Sequence, residues 1–245
     1  MRILITNDDS INSPVLPHLV EWARKHGEVT VAVPKHQQSG QSHAIEIHTP
    51  FVVEQTNQFE GATTYVVDST PVDCVRLATL GLKQTYDLVI SGINNGLNMG
   101  EDILYSGTCA CIFEAKLRGI KGIAFSTEED NFDHAMQQMD RIWQFFQQHK
   151  LLDVADIYNV NIPKNSKEQI VVTKMGGPYF TDMFTHVGGG VYKQQGYCIH
   201  ENVHDITLDT DATMDGYITV TPLTTNRCSG TAYKKLQHLQ GKKQS

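Results

Sequence analysis

The chain lacks any long hydrophobic run, because no stretch of its 245 residues approaches the roughly 20 apolar residues needed to span a bilayer. It has only 19 Gly and 8 Pro, while 40% of its residues are hydrophobic, which excludes collagen-like, low-complexity and disordered chains. Basic residues are also scarce: 20 Lys and Arg stand against 27 Asp and Glu, a formal charge of −7. We therefore expect neither a nucleic-acid duplex nor a membrane surface as a partner.

Several common catalytic motifs are also missing from the sequence. There is no Gly-x-x-x-x-Gly-Lys-Ser/Thr loop, and no Gly-x-Gly-x-x-Gly follows the first predicted strand. His-Glu-x-x-His and Gly-x-Ser-x-Gly are absent as well. These absences count against a P-loop enzyme, a dinucleotide-binding enzyme, a standard zinc hydrolase and an α/β-hydrolase nucleophile.

Cysteine usage indicates a reducing compartment. The five cysteines are odd in number and lie mostly in apolar segments, which favours free, buried thiols over a disulfide framework. The pair Cys109 and Cys111 is two residues apart, so on a helix the two thiols do not share a face. The N-terminal apolar run is too short for a signal peptide, and we expect a cytoplasmic protein.

Short apolar runs alternate with helical periodicity along the first two thirds of the chain, a pattern typical of a parallel sheet covered by helices. Strands are predicted at 2–6, 29–33, 64–67, 87–90, 122–126 and 158–162. Helices are predicted from Ser13-Pro14 to Gly27, with Ser13 as N-cap, and at 71–82, 108–118 and 132–149. The last of these carries an apolar stripe of Met139, Ile142, Trp143 and Phe146, interpreted as core.

The pattern changes after about residue 165. Strand-like pieces at 170–174, 191–198 and 217–221 now follow one another with Gly-rich turns between them, and a short helix is predicted at 231–239 before a polar tail. We interpret residues 1–245 as a single domain, with an α/β core over about 1–165 and a β-rich extension with a C-terminal helix over about 166–245. Unpaired strand edges in this extension indicate pairing with another subunit.

The chemistry is expected where polar loops leave the carboxyl ends of strands. Asp8 and Asp9 directly follow the first strand, and their carboxylates can converge only where the chain turns. Paired carboxylates suit a hard divalent cation, although an Asp pair that caps the next helix is the alternative. The second polar loop, 34–43, contains Ser39; by itself it predicts only a flexible loop.

A third loop combines glycines and asparagines after an apolar strand. Residues 91–100 include Asn94 and Asn98, and the glycines allow the backbone to approach a ligand closely. Ser106-Gly107-Thr108 then opens a helix, whose free N–H groups and dipole can bind a phosphate. An ordinary Ser N-cap without a ligand is the other interpretation of this helix start.

Six blocks of the chain resemble the SurE survival-protein family. They occur in the order found in that family and extend from residue 3 to 223, so the resemblance is far more specific than any single block. The blocks are Ile3-Leu4-Ile5-Thr6-Asn7-Asp8-Asp9, Gln38-Ser39-Gly40, Thr70-Pro71-Val72-Asp73-Cys74-Val75, Ser91-Gly92-Ile93-Asn94, Tyr105-Ser106-Gly107-Thr108 and Asp215-Gly216-Tyr217-Ile218-Thr219-Val220-Thr221-Pro222-Leu223.

The resemblance implies a Rossmann-like three-layer α/β/α fold with a mainly parallel sheet and a C-terminal β-rich extension used in oligomerisation, as a homodimer or homotetramer. It implies a divalent-metal-dependent phosphatase that hydrolyses nucleoside 5′- and 3′-monophosphates, with one Mg²⁺ or Mn²⁺ per subunit. The family's metal ligands correspond to Asp8, Asp9, Ser39 and Asn94, with Asp8 and Asp9 also catalytic. The expected phosphate-binding positions are Asn98, Ser106, Gly107 and Thr108. At two positions where the family usually has glycine, this chain has Ser10 and Ser69. A further glycine of the family falls near Val15.

A cation between Asp8 and Asp9 would offset the repulsion between a phosphate monoester and the attacking water. No general acid for the leaving alcohol stands out; His43, near the second loop, is one candidate and a surface histidine is the alternative. A polyphosphatase, a broad acid phosphatase, and a non-catalytic module that binds nucleotide and metal remain the competing functions.

Overall fold

The computed structural model describes residues 1–239, which form eleven strands and seven α-helices. The strands β1 to β11 are Arg2–Thr6, Glu28–Pro34, Val53–Thr56, Ala62–Val67, Leu88–Asn95, Lys121–Thr127, Ile157–Ile162, Ile170–Val172, Phe180–Gly188, Val191–Cys198 and Ile218–Leu223. The helices α1 to α7 are Leu16–Arg24, Pro71–Arg76, Gly107–Leu117, Phe132–Gln148, Leu151–Val154, Asp209–Met214 and Gly230–Leu236. No helix in this part of the chain is long and apolar enough to cross a membrane.

Nine strands form one sheet in the order β3-β4-β2-β1-β5-β6-β7-β11-β8. The six central strands from β4 to β7 are parallel neighbours, and the antiparallel pairs are β3–β4 and β7–β11. From β1 the chain continues to β2 on one side, and β5 lies on the other side of β1. The strand order therefore reverses between β1 and β5, where a doubly wound sheet opens a crevice for a ligand.

Helices cover both faces of this sheet, which confirms the predicted three-layer α/β/α arrangement. Leu16 and Leu19 of α1 pack in one buried cluster with Met139, Ile142 and Phe146 of α4. On the opposite face, α2 and α3 bury their side chains in a second cluster, which includes Cys74, Val75, Cys111 and Ala115. The stripe predicted on α4 is thus core, with Trp143 partly buried against it.

Two predicted helices differ from the structure. The first helix begins at Leu16 rather than at Pro14, and Val15 is its N-cap. Ser13 lies instead in a tight turn, where its N–H donates to the carbonyl of Ser10 and its carbonyl accepts from the N–H of Leu16. The helix predicted over 71–82 is α-helical only to Arg76, and a π-helical turn, Leu77–Gly81, follows it.

The part after residue 165 divides between the central sheet and a projecting hairpin. Strands β8 and β11 complete one edge of the nine-stranded sheet, whereas β9 and β10 pair only with each other. Strand β9 was not predicted from the sequence, nor were β3 and α6. Helix α7 matches the predicted C-terminal helix, and the predicted polar tail, 240–245, lies outside the described residues.

A buried carboxylate fastens the loop after β2 to α3. The Glu114 side chain is only 2% exposed, and it lies 3.1 Å from each of His43, Arg76 and Arg118. Burial raises the pKa of Glu114, but the hydrogen bond from His43 and the charges of Arg118 and Arg76 outweigh this effect and hold the pKa below its ordinary value. The loop that carries Ser39 is thereby tied to the helix that begins at Gly107.

We expect Glu114→Ala to lower the free energy of unfolding by about 2 kcal/mol at pH 7, because three basic groups lose their buried partner. Because folding lowers the pKa of Glu114, this contribution is present above the ordinary glutamate pKa and is lost as the pH falls through the lowered value. Urea unfolding at pH 7 and pH 4 measures both effects. The control is Glu54→Ala, which removes an exposed pair with Lys35 and should change stability by less than about 0.5 kcal/mol. Equal effects of the two variants would contradict the expectation.

Candidate active site

The predicted site residues lie around the crevice between the carboxyl ends of β1 and β5. Asp8 and Asp9 follow β1, Asn94 lies near the end of β5, and Gly107 begins α3. Ser39 reaches the same crevice from the loop after β2, whose backbone is fixed to the first loop by the N–H of Gln38 donating to the carbonyl of Asp8 at 2.8 Å. Four loops that are far apart in sequence are thus brought together because parallel strands end at the same edge.

Asp8 is buried and faces the start of α3. Its carboxylate accepts a hydrogen bond from the Thr108 hydroxyl at 2.6 Å, and the residue is 5% exposed. A Cβ on Gly107 would lie 3.0 Å from both Cβ and Oδ2 of Asp8. Glycine at this position therefore lets the helix N-terminus approach the carboxylate closely, as the Gly-rich approach to α3 suggested.

Asp9 faces the opposite side of the crevice and is held by two residues that the sequence did not single out. The backbone N–H of Asn95 donates to its Oδ2 at 3.1 Å, and Gln37 Nε2 donates to its Oδ1 at 3.3 Å. The same Gln37 nitrogen lies 3.1 Å from the hydroxyl of Ser39. Ser39 is therefore linked to Asp9 through a single side chain. Gln37 stands one position before the Gln38-Ser39-Gly40 block, and only that proximity could have indicated it.

The two carboxylates carry poorly compensated negative charge. Burial raises the pKa of Asp8 to about 6; the hydrogen bond from Thr108 lowers it and the charge of Asp9 raises it further. Burial also raises the pKa of Asp9, against the hydrogen bonds from Asn95 and Gln37. None of the ion pairs found among residues 1–239 includes either carboxylate. A buried carboxylate such as that of Asp8 is costly without a basic partner unless a cation binds it.

The surrounding donor set fits a hard divalent cation. The described residues contain no group of three or more His, Cys, Asp or Glu side chains that could hold a metal, so Asp8 and Asp9 would be joined only by neutral oxygens. Ser39 offers its hydroxyl, and Asn7 has a buried Oδ1 without a hydrogen-bond partner in this part of the chain. Carboxylate, hydroxyl and amide oxygens suit Mg²⁺ or Mn²⁺ rather than a soft metal.

Asn94 follows an irregular stretch of β5. Gly92 has a φ of +123°, and a Cβ there would meet the carbonyl oxygen of Phe125 at 2.3 Å, so only glycine fits. The pairing of β5 with β6 shifts between Ser91 and Asn94. The side-chain Nδ2 of Asn94 donates to the carbonyl of Gly96 at 2.7 Å, which leaves its Oδ1 as the atom able to ligate.

Asn98 is held firmly by its neighbours. Its Nδ2 donates to the Ser126 hydroxyl at 2.8 Å, and its carbonyl accepts from the amides of Asn159 and Asn161, both at 2.7 Å. Its backbone N–H donates to Asn161 Oδ1 at 2.9 Å. In this structure, therefore, Asn98 fixes the loop after β5, and the second hydrogen of its Nδ2 is the donor left for the predicted contact with phosphate.

The start of α3 has the geometry expected of an anion site. Ser106 is the N-cap, and its hydroxyl accepts from the N–H of Cys109 at 3.0 Å. The Ser106 oxygen thus accepts at the cap while its own O–H remains a donor, and the helix supplies further N–H groups at Gly107 and Thr108. The capping and anion-binding interpretations of this motif are compatible, since they use different atoms.

Ser10 sets the backbone conformation directly after Asp9. Ser10, where the family usually has glycine, adopts a φ of +76°, so the turn after Asp9 keeps a left-handed conformation.

The Nε2 of the candidate acid His43 lies 3.1 Å from Glu114, and His43 lines a cavity that contains none of the predicted site residues. His43 is therefore committed to holding its loop.

Asp209 supports the site from far along the sequence. It lies at the start of α6, is 1% exposed, and accepts from the N–H groups of Gly100 at 3.1 Å and Gly176 at 2.7 Å. This carboxylate fixes the third loop to the segment that leads into the β9–β10 hairpin. Its position, more than a hundred residues from that loop, gives no signal in the sequence.

Comparisons with known proteins agree with this geometry. Residues 3–182 match the family model described as survival protein SurE. The chain is 34% identical to the 5′-nucleotidase SurE of Caldanaerobacter subterraneus subsp. tengcongensis, over 96% of this chain and 95% of that protein. It is 36% identical to the 5′-nucleotidase SurE of Clostridium tetani, over 91% and 93% respectively.

The fold is shared as well. The crystal structure of the SurE protein from Aquifex aeolicus superposes with a TM-score of 0.79 at 29% identity, covering 98% of this chain and 99% of that one. Family model, relatives and structure each extend over most of the chain, and therefore this chain belongs to the SurE family of survival proteins.

Proposed function

We propose that the chain is a metal-dependent 5′-nucleotidase, which hydrolyses nucleoside monophosphates to nucleoside and phosphate at the crevice between β1 and β5. The observation that carries the proposal is the pair of adjacent carboxylates, Asp8 and Asp9. No basic side chain of residues 1–239 pairs with either of them, and the buried Asp8 lies against the N-terminus of α3. SurE relatives named as 5′-nucleotidases support the reaction class. We extend the proposal to 3′-monophosphates and to one Mg²⁺ or Mn²⁺ per subunit.

Each residue of the site has a distinct task in this proposal. Asp8, Asp9, Ser39 and Asn94 hold the cation, which supplies charge compensation for the phosphate and for the attacking water. The N–H groups of Gly107 and Thr108 bind non-bridging phosphate oxygens as charge redistributes. Thr108 also orients the Asp8 carboxylate through its 2.6 Å hydrogen bond. Asn95 and Gln37 keep Asp9 in place, so both carboxylates stay fixed while the substrate turns over.

We further propose that the chain assembles as a homodimer or homotetramer through the β9–β10 hairpin. The hairpin pairs with no other strand of residues 1–239, and it exposes a row of large apolar side chains. These are Phe180, Met183, Phe184, Val187, Val191, Tyr192 and Tyr197. An exposed apolar ribbon of this size favours burial against a partner, and a symmetric copy is the commonest one.

A cytoplasmic location completes the proposal. All five cysteines are free, with Cys74, Cys109 and Cys111 buried and Cys198 and Cys228 exposed. The last two differ from the expectation of buried thiols. Exposed free thiols favour a reducing compartment.

Asp8→Asn tests the metal-dependent reaction. The amide can still accept the hydrogen bond from Thr108, so the fold should survive, but one negative charge is lost from the cation site. We expect kcat/KM for nucleoside monophosphates to fall at least about 100-fold, which corresponds to roughly 2.7 kcal/mol of transition-state stabilisation. Release of inorganic phosphate with added Mn²⁺ is the measurement. The control Asp153→Asn removes an exposed carboxylate paired with Lys121 and should leave kcat/KM unchanged. Near-normal activity of Asp8→Asn would refute the site.

Gly107→Ala tests the close approach of α3 to Asp8. The new Cβ would lie 3.0 Å from Oδ2 of Asp8, so we expect the carboxylate to shift and kcat/KM to fall about tenfold or more, with the melting temperature little changed. A matched control exists in Gly230→Ala. Gly230 also follows a Ser N-cap as the first residue of a helix, but a Cβ there meets nothing within 4 Å. Full activity of both variants would contradict the role of Gly107 in the close approach of α3 to Asp8.

Light scattering tests the assembly. We expect the wild type at micromolar concentration to have a multiple of 27.4 kDa, and Phe184→Asp to shift the mass towards the monomer. Phe184 is 65% exposed on the hairpin, whereas Val154 is 78% exposed at the end of α5 and serves as the control in Val154→Asp. A wild-type particle of 27.4 kDa would contradict the proposed interface.

A further inference from the structure

Strand β7 carries two asparagines, Asn159 and Asn161, in its buried middle, and both are 0% exposed. Asparagine is disfavoured in strands, and burial of an amide is costly unless the amide is hydrogen-bonded. The alternate residues Tyr158 and Val160 pack in the cluster with α1 and α4, so the two amides lie on the opposite face of the sheet, towards α3. The hydrogen bonds of these amides therefore explain why the strand contains them.

Both amides converge on the backbone of Asn98, in the loop after β5. The Nδ2 atoms of Asn159 and Asn161 each donate to the Asn98 carbonyl at 2.7 Å, and Oδ1 of Asn161 accepts from the Asn98 N–H at 2.9 Å. A carbonyl oxygen has two lone pairs, so these contacts use the full acceptor capacity of the Asn98 carbonyl. Two side chains of one central strand thus hold both backbone polar groups of a single loop residue.

The side chain of Asn98 is fixed by the neighbouring strand β6. Its Nδ2 donates to the hydroxyl of Ser126 at 2.8 Å, and Ser126 is 0% exposed and pairs with Asn161 in the register of β6 and β7. Because one hydrogen of this planar amide is bound to Ser126, the direction of the second hydrogen is set as well. Asn98 is therefore held by three buried side chains while its amide keeps one donor for phosphate.

Asn159 also contacts the first turn of α3. The thiol of Cys109 donates to Oδ1 of Asn159 at 3.6 Å, and the Cys109 N–H donates to the Ser106 hydroxyl at 3.0 Å, so Cys109 belongs to the capped turn. The N–H groups of this turn are the ones that we propose bind phosphate. A single side chain thus contacts both elements of the proposed phosphate site, and β7 sets the spacing between them.

A purely structural role for the two amides, as anchors of the loop, is the competing explanation. The loop already has a separate anchor two residues further on, where the Asp209 carboxylate accepts from the N–H of Gly100 at 3.1 Å. The residue that β6 and β7 hold is instead Asn98, which is the one predicted to contact phosphate. The placement of these hydrogen bonds therefore favours a role in anion binding.

From this arrangement we propose that Asn159 and Asn161 are positioning residues of the phosphate site. They hold Asn98 at a fixed distance from the first turn of α3, and Ser126 sets the direction of the Asn98 amide. All three act through Asn98 and need no contact with the substrate. The inference rests on the proposed nucleotidase function and adds to it the residues that preorganise the anion contacts.

A double-mutant cycle on Asn98→Ala and Asn161→Ala tests the proposal. The measurement is calorimetric titration of inorganic phosphate with Mg²⁺ present, which needs no turnover. We expect each single variant to bind phosphate about tenfold more weakly, because a hydrogen bond to a charged group is lost or misdirected. The double variant should match Asn98→Ala within about twofold, since Asn161 acts through Asn98. Additive losses, or unchanged binding by Asn161→Ala, would overturn the proposal.

Ser126→Ala provides a gentler variant, which keeps the proposal testable if Asn161→Ala does not fold. It frees the Asn98 amide without removing it, so we expect phosphate binding about fivefold weaker than in the wild type and no further loss when Ser126→Ala is added to Asn98→Ala. The matched control is Thr64→Val. Thr64 is 0% exposed in β4, and its hydroxyl donates to the Ala62 carbonyl at 3.5 Å, far from β6. An equal loss of phosphate affinity in Thr64→Val would overturn the proposal, because general destabilisation would then be the cause.

Turnover provides a second readout. The kcat/KM values for AMP and for ribose 5-phosphate should fall by the same factor in Ser126→Ala, because both substrates carry the phosphate that Asn98 is proposed to bind. Unequal losses would assign the effect to the leaving group and would contradict the inference. If the wild type releases phosphate from neither substrate, the proposed function is refuted, whereas the phosphate-binding cycle still decides whether these residues preorganise an anion site. Failure of the wild type to bind phosphate would overturn the inference itself.

Discussion

The pair of adjacent carboxylates after β1, of which Asp8 is buried, is the constraint on which the rest of the site depends. Successive side chains of a strand point to opposite faces, so Asp8 and Asp9 share one crevice only because the chain turns at this point. The left-handed backbone of Ser10 makes that turn. Burial then raises the pKa of both carboxylates, and no basic side chain in the described part of the chain pairs with either of them. A divalent cation held by the two carboxylates would relieve this electrostatic conflict and would at the same time attract phosphate.

The remaining elements position groups around this pair. Helix α3 approaches Asp8 closely because Gly107 has no side chain, and its far end holds Glu114, which ties down the loop of Ser39 through His43. Asp209 fixes the third loop to the segment before the hairpin. The proposed active site is therefore linked through the hydrogen bonds of Asp209 to the segment that precedes the hairpin.

Much of the fold could be predicted from the sequence because its central strands are short, fully buried apolar runs separated by periodic helices. Ser13-Pro14 was misleading: a Ser-Pro pair is typical of a helix start, but hydrogen bonds with Ser10 and Leu16 place it in a preceding turn. Strand β9 is not predicted because its apolar residues, Phe180, Met183, Phe184 and Val187, do not alternate with polar residues at the period of two that marks a strand. The loops that carry the predicted site residues could be placed together from the sequence, because parallel strands end at one edge of a sheet. The roles of Gln37, Asn95 and Asp209 could not be predicted from the sequence, because they arise from contacts between distant loops that leave no local pattern.

The measurement that tests the central claim most directly is calorimetric titration of Mn²⁺ into the wild type and into Asp8→Asn, without substrate. The account predicts one binding event per chain in the wild type, with affinity at least about tenfold weaker when the charge of Asp8 is removed, and a melting temperature that rises with Mn²⁺ only where binding is seen. Absence of Mn²⁺ and Mg²⁺ binding to the wild type, or equal affinity in the two proteins, would show that Asp8 and Asp9 do not form a cation site.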